Sequence, residues 1–198
     1  MISPLRKIMQ YIGHHGMVRP RDIEAIGLPR EYLVRLHRQG KIHRSGRGIY
    51  TLPDANVTER HSYAEVAKRV PDAVICLLSA LVFHEITTQN PASVWIALRK
   101  GARTPVLTSP SLRIVRLSGP SLTEGIENHQ VEGVPVRVYS AAKTVADCFK
   151  FRNKIGLDVA IEALKDSLRQ KKANVNEIYR YAKVCRVSNV IRPYMEAL

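Results

Sequence analysis

The sequence predicts an α+β protein: an N-terminal winged helix-turn-helix, then a mixed α/β domain with a small sheet and C-terminal helices. Three observations carry this expectation. Short helix-periodic runs joined by glycine-containing turns fill residues 4–40, and two β-capable runs follow around Ser45-Gly46-Arg47-Gly48. Strand-like and helical stretches then mix from residue 58 onward. Charge divides the chain in the same way. Of a net +14 over 198 residues, segment 1–53 holds ten Lys/Arg against three Asp/Glu (+7), segment 54–139 carries +1 and segment 140–198 carries +6. Leu52-Pro53-Asp54-Ala55-Asn56 breaks the pattern, so domains are expected over 1–56 and 57–198.

Ser3 is the expected cap of a first helix, with Pro4 at its first position. Leu5, Ile8, Met9 and Ile12 then fall at i, i+3, i+4 and i+7, one apolar face, and Gly13 and Gly16 are expected to end it. A second helix fits Arg19–Ile26. Gly27-Leu28-Pro29 makes a tight connection to a third, from about Pro29 to Gln39, which stops at Gly40. Lys41–Arg44 and Ile49–Leu52 read as a hairpin, the wing. Which of His43, Arg44, Ile49 and Tyr50 face outward depends on a register that sequence leaves open.

At about 100° per residue, Leu33 and Leu36 centre one face of the third helix, flanked by Tyr32 and His37. The opposite face carries Arg30, Glu31, Val34, Arg35 and Arg38. Arginine can grip guanine O6 and N7 with two hydrogen bonds, and valine can touch a thymine methyl, so this face suits a major groove. A merely solvated helix is the plain alternative. Arg44 and Arg47 in the wing are expected at the phosphate backbone or the minor groove, and Arg19 and Arg21, beside the free N–H groups opening the second helix, at a phosphate.

In the second half, helices are expected over Thr58–Val70 and Ala80–Thr87, the latter capped by Ser79. Strands are expected over Val94–Leu98, Leu112–Leu117, Ile126–Val131 and Val134–Tyr139, the last two joined at Glu132-Gly133. Pro135 places its strand at an edge or delays its start. The loop Arg99–Pro110 is expected to be mobile. Ser140 caps a helix to about Phe151. Leu157–Arg169 reads as amphipathic on Leu157, Ile161, Leu164 and Leu168. Asn174 caps Val175–Val184, and a short last helix from Ser188 is expected to break near Pro193.

The basic balance, with a pI near 10.0, points to a polyanionic partner. No apolar run is long enough to span a membrane, and Met1–Gly13 lacks the apolar core of a signal peptide, so the cytoplasm is the expected compartment. Cys76, Cys148 and Cys185 are too few and too scattered for a disulfide framework or a zinc site. His84-Glu85 lacks the second histidine of a metalloprotease motif, since position 88 is Thr, and Ser79 has no nucleophile-elbow context. No phosphate-binding glycine loop occurs. No cofactor, no metal and no catalysis are therefore expected. Lys143 and Asp147, four apart on a helix, read first as a surface ion pair.

The run Arg30-Glu31-Tyr32-Leu33-Val34-Arg35-Leu36-His37-Arg38-Gln39-Gly40-Lys41-Ile42, followed by Gly46-Arg47-Gly48-Ile49-Tyr50-Thr51-Leu52-Pro53, resembles the winged-helix part of AbiEi-type antitoxins. Val74–Leu81 with His84, Gly133–Val138 and Ser140–Cys148 resemble their second half. The resemblance implies a transcriptional regulator of a phage-defence toxin–antitoxin system. Its N-terminal domain would bind inverted repeats in the operon's own promoter as a repressor. Its C-terminal domain would act as antitoxin against a nucleotidyltransferase-like toxin. Lys143 and Asp147 are the candidate residues of that second domain. Some members carry Arg at the position of Lys143, which keeps the charge but not the bidentate geometry. The partners implied are duplex DNA and, through a functional link, the toxin, with no membrane, the chain being a monomer or weak dimer. A protein- or RNA-binding module using the basic C-terminal helices is the alternative, and an enzyme within 57–198 is a third.

Overall fold

A computed structural model describes residues 3–46, 48–55 and 57–198. The chain separates into two compact units: Met1–Pro71 with Gln130–Val136, and Asp72–His129 with Arg137–Leu198. The division expected after residue 56 falls inside the first of these.

The first unit opens with α1 (Pro4–His15), where Ser3 Oγ accepts the Arg6 N–H at 3.4 Å. Gly13 does not end this helix. It runs on to Gly16, whose φ of +64° turns the chain away. Helices α2 (Pro20–Ala25) and α3 (Glu31–Arg38) follow. Ile8, Ile12, Val18, Ile23, Leu33 and Leu36 are fully buried together, which confirms the helical phases read from spacing. Gly40, at φ +68°, lets the Lys41 N–H return to the Leu36 carbonyl at 3.0 Å and stops α3.

The wing is β1 (His43–Gly46) paired antiparallel with β2 (Ile49–Thr51), irregular between Arg44 and Gly46. Val18 bridges Tyr50 as a third edge. The structure settles the register: Ile49, Tyr50 and Thr51 face inward, while His43 and Arg44 face solvent. Helix α4 (His61–Arg69) closes the unit, with Lys68 Nζ 2.9 Å from Asp22 Oδ2.

The second unit contains β3 (Val74–Ile75), α5 (Leu77–Phe83), β4 (Val94–Arg99), β5 (Leu112–Leu117), α6 (Pro120–Thr123), β6 (Ile126–Val131) and β7 (Val134–Tyr139). Helices α7 (Ala141–Lys150), α8 (Arg152–Ile155), α9 (Leu157–Arg169), α10 (Val175–Cys185) and α11 (Ser188–Glu196) complete it. The strands form one mixed sheet in the order β5-β4-β3-β7-β6, and the turn end of the β6–β7 hairpin is counted with the first unit. β7 is thus not an edge strand, but the two-residue β3 meets it at Val138, beyond Pro135.

Helix α7 packs against α5, α9, α10 and α11, which is why it is buried on nearly every side. Ser79 lies inside α5 rather than capping it, and its hydroxyl accepts the Trp95 N–H at 2.9 Å. The buried residues of α9 are Val159, Ala160, Ala163, Leu164 and Ser167, while Leu157 is 38% exposed. Several of these side chains are small or polar where α9 meets α7, a choice that apolar periodicity does not weigh. Helix α11 continues through Pro193. The loop after β4 is tied down by Arg116, which donates to Ala102 O and Thr104 Oγ1, both at 2.7 Å.

Candidate nucleic-acid interface

Helix α3 owes its orientation to its buried side. Leu33 and Leu36 sit at 0% exposure, so residues one and two positions away are forced outward. Val34 is 43% exposed, a large apolar side chain left in water. Arg35 and Arg38 are exposed beside it and, with Glu31, half-buried Tyr32 and Gln39, line a shallow recess. Among the described residues neither Arg35 nor Arg38 forms an ion pair, so both guanidinium groups keep their full donor sets. The recess therefore presents forked donors around one apolar patch, which is the chemistry that reads base edges.

The other sequence-expected residues are placed unevenly. Arg21 is exposed on α2. Arg30 precedes α3 and is exposed, but its charge is shared with Glu24 at 3.8 Å and Glu31 at 3.6 Å. Arg44 is exposed in the wing, where its Nε donates to Gly46 O at 3.3 Å. Arg47 lies outside the described residues.

Arg19 is drawn inward, with its side chain only 16% exposed and 3.8 Å from Asp22. The start of α2, expected to hold a phosphate, is occupied by the chain's own carboxylate: Asp22 Oδ2 accepts the Arg19 N–H at 2.8 Å. Burial pushes the Asp22 carboxyl up, but that hydrogen bond and the Lys68 ion pair outweigh it and hold the carboxyl below its usual range.

Within the first unit, one residue that the sequence pattern does not single out gathers several contacts. Glu132, in the β6–β7 turn, accepts the Thr58 N–H at 2.7 Å and the Thr58 hydroxyl at 2.9 Å, and it meets His61 Nδ1 at 2.7 Å. A side chain at Gly16 would overlap the Glu132 carbonyl, and one at Gly133 would crowd the Gly16 nitrogen. Only glycine fits at both places. These pairings span more than seventy residues of sequence and leave no local trace.

Lys143 and Asp147 stand elsewhere, and not on the surface. Their side chains are 0% and 1% exposed, with Nζ 2.6 Å from Oδ2. The Lys143 ammonium also sits 4.1 Å from the centre of the Tyr139 ring, and Asp147 Oδ1 accepts the Cys185 thiol at 3.2 Å. Burial raises the Asp147 carboxyl above its usual range despite Lys143, and pushes Cys185 up to about 12. Burial likewise raises Cys76 and Cys148, so all three thiols are held in the unreactive protonated form. His84 Nε2 donates to Tyr139 O at 2.7 Å, a packing role. Among the described residues no cluster of His, Cys, Asp or Glu is arranged to hold a metal. No described helix is long and apolar enough to cross a membrane.

Residues 6–53 match the family of transcriptional regulators described as AbiEi antitoxins. The matched stretch spans α1, α2, α3 and the wing, so the resemblance read from residues 30–53 holds there. No curated protein matches the chain.

Proposed function

We propose that the chain is a sequence-specific DNA-binding regulator that represses its own toxin–antitoxin operon. In this reading α3 enters the major groove with Val34, Arg35 and Arg38 against the base edges. Arg21, Arg30, Arg44 and Arg47 contact phosphates on either side, and Arg19 orders the start of α2 through Asp22. The second unit carries the antitoxin role toward a nucleotidyltransferase-like toxin, with the Lys143–Asp147 pair fixing the fold of that unit. The observation that carries the reading is the recess on α3: two arginines that, among the described residues, have no carboxylate partner, around an exposed valine held out by two fully buried leucines. The family matched over 6–53 supports the regulator and antitoxin parts.

Titration of the full chain against a duplex of its own upstream region, at several salt concentrations, tests this. The logarithm of affinity should fall linearly with that of salt, by about 0.9 per phosphate contacted. A mismatched duplex should bind far more weakly at every salt. Equal affinity for both duplexes would reject the reading.

A further inference from the structure

Beyond the DNA-reading face, the second unit holds a second basic concavity. It lies at the carboxyl end of β5 and encloses about 480 Å³. Arg116 and Leu117 close β5, Ser118, Pro120 and Ser121 follow it, and Lys150, Val184, Lys183 and Arg186 come from α7 and the end of α10.

Four basic residues line this recess, and neutral acceptors hold two of their charged ends in place. Arg116 is fixed by Ala102 O and Thr104 Oγ1, and Lys150 Nζ donates to Cys185 O at 3.2 Å. Among the described residues no carboxylate pairs with Arg116, Lys150, Lys183 or Arg186. The one acid on the rim, Glu124, is 3.6 Å from Arg180. Ser121 Oγ donates to Val184 O at 2.9 Å and fastens α6 to the end of α10. One cation would suffice to offset the carbonyl end of α10, and Lys150 already does so. Lys183 and Arg186 add charge that the helix end does not require.

We infer that this recess is a binding site for a compact polyphosphate group, such as the di- or triphosphate of a small phosphorylated molecule. Fixed positive charge in a concave setting favours a small multivalent anion. The flank of a duplex presents its phosphates on a convex cylinder and fits the recess poorly.

Calorimetric titration of the full chain with inorganic tripolyphosphate, a nucleoside triphosphate and inorganic monophosphate tests the assignment. The first two should saturate at one per chain, and monophosphate should bind much more weakly. Tighter binding of the triphosphate than of tripolyphosphate would assign a nucleotide, and equal binding would assign the polyphosphate alone. The exposed pair Lys183→Gln/Arg186→Gln should weaken tripolyphosphate binding by roughly tenfold or more. Lys165→Gln/Lys171→Gln, which removes the same charge elsewhere in the second unit, should change it less than twofold. Arg35→Ala/Arg38→Ala should leave it unchanged, which separates this test from that of DNA reading. Equal losses in the two charge-removal variants, loss of binding in the α3 variant, or displacement of tripolyphosphate by duplex DNA in that α3 variant would each overturn the inference.

Discussion

The Lys143 ammonium donates to Asp147 at 2.6 Å across one turn of α7, with both side chains withdrawn from solvent. An ion pair in that position is costly to break and cheap to replace, because each partner compensates a charge that water no longer can. Gly125 belongs to the same arrangement: a side chain there would press on the Lys143 stem and the Tyr181 ring.

The first prediction follows from that pair. Lys143→Met or Asp147→Leu alone should destabilise the chain by roughly 3–5 kcal/mol, each leaving a buried charge unpaired. The double variant Lys143→Met/Asp147→Leu should recover most of the loss. Urea unfolding of the three variants checks this, and additive losses would show that the two groups act independently.

Glu132 supplies a pH-dependent prediction. Burial raises its carboxyl, but the Thr58 and His61 contacts together lower it below the usual range. A depressed carboxyl contributes stability that is complete above its unfolded value, 4.5, and is lost as pH falls through the folded value. Glu132→Gln should therefore lower the melting temperature at pH 7, by an amount corresponding to roughly 1.5–3 kcal/mol. The gap to the unsubstituted chain should close in acid below that range. A gap that is constant from pH 7 to pH 3 would deny the carboxylate its role.

In the first unit, Leu36→Ala should cost roughly 2–5 kcal/mol, since it empties a fully buried position between α1 and the wing. A thermal scan with no loss would contradict the phase of α3 and with it the outward placement of Arg35.

The wing offers a contrast to α3. Arg44→Ala should weaken binding to all duplexes about equally and reduce the salt slope by about one, as a phosphate contact does. A change confined to one sequence would instead make Arg44 a base reader.

Periodicity revealed most of the local fold. Leu33 and Leu36 on one side of α3, Ser140 and Asn174 as caps, and the strands at 112–117, 126–131 and 134–139 all follow from short-range rules. What it missed depends on distant partners or on size. Asp22 meets Lys68, and Glu132 meets Thr58, through the fold alone. Those two contacts belong to the first unit, and a cut after residue 56 would sever Asp22 from Lys68 and leave α4 and the hairpin turn outside it. Lys143 and Asp147 looked like surface charges, yet the residues between and around them are almost all apolar, the mark of a helix buried on every side. The α3 face expected by angle is the face the structure leaves exposed, while Arg19, expected at a phosphate, turns inward beside Asp22.

Full-chain binding to a library of duplexes, with and without Arg35→Ala, tests whether the exposed face of α3 reads base sequence. Overall salt dependence should persist while preference relaxes at one position of the site, by roughly 1–3 kcal/mol. An unchanged preference at every position, with affinity lowered uniformly, would contradict it.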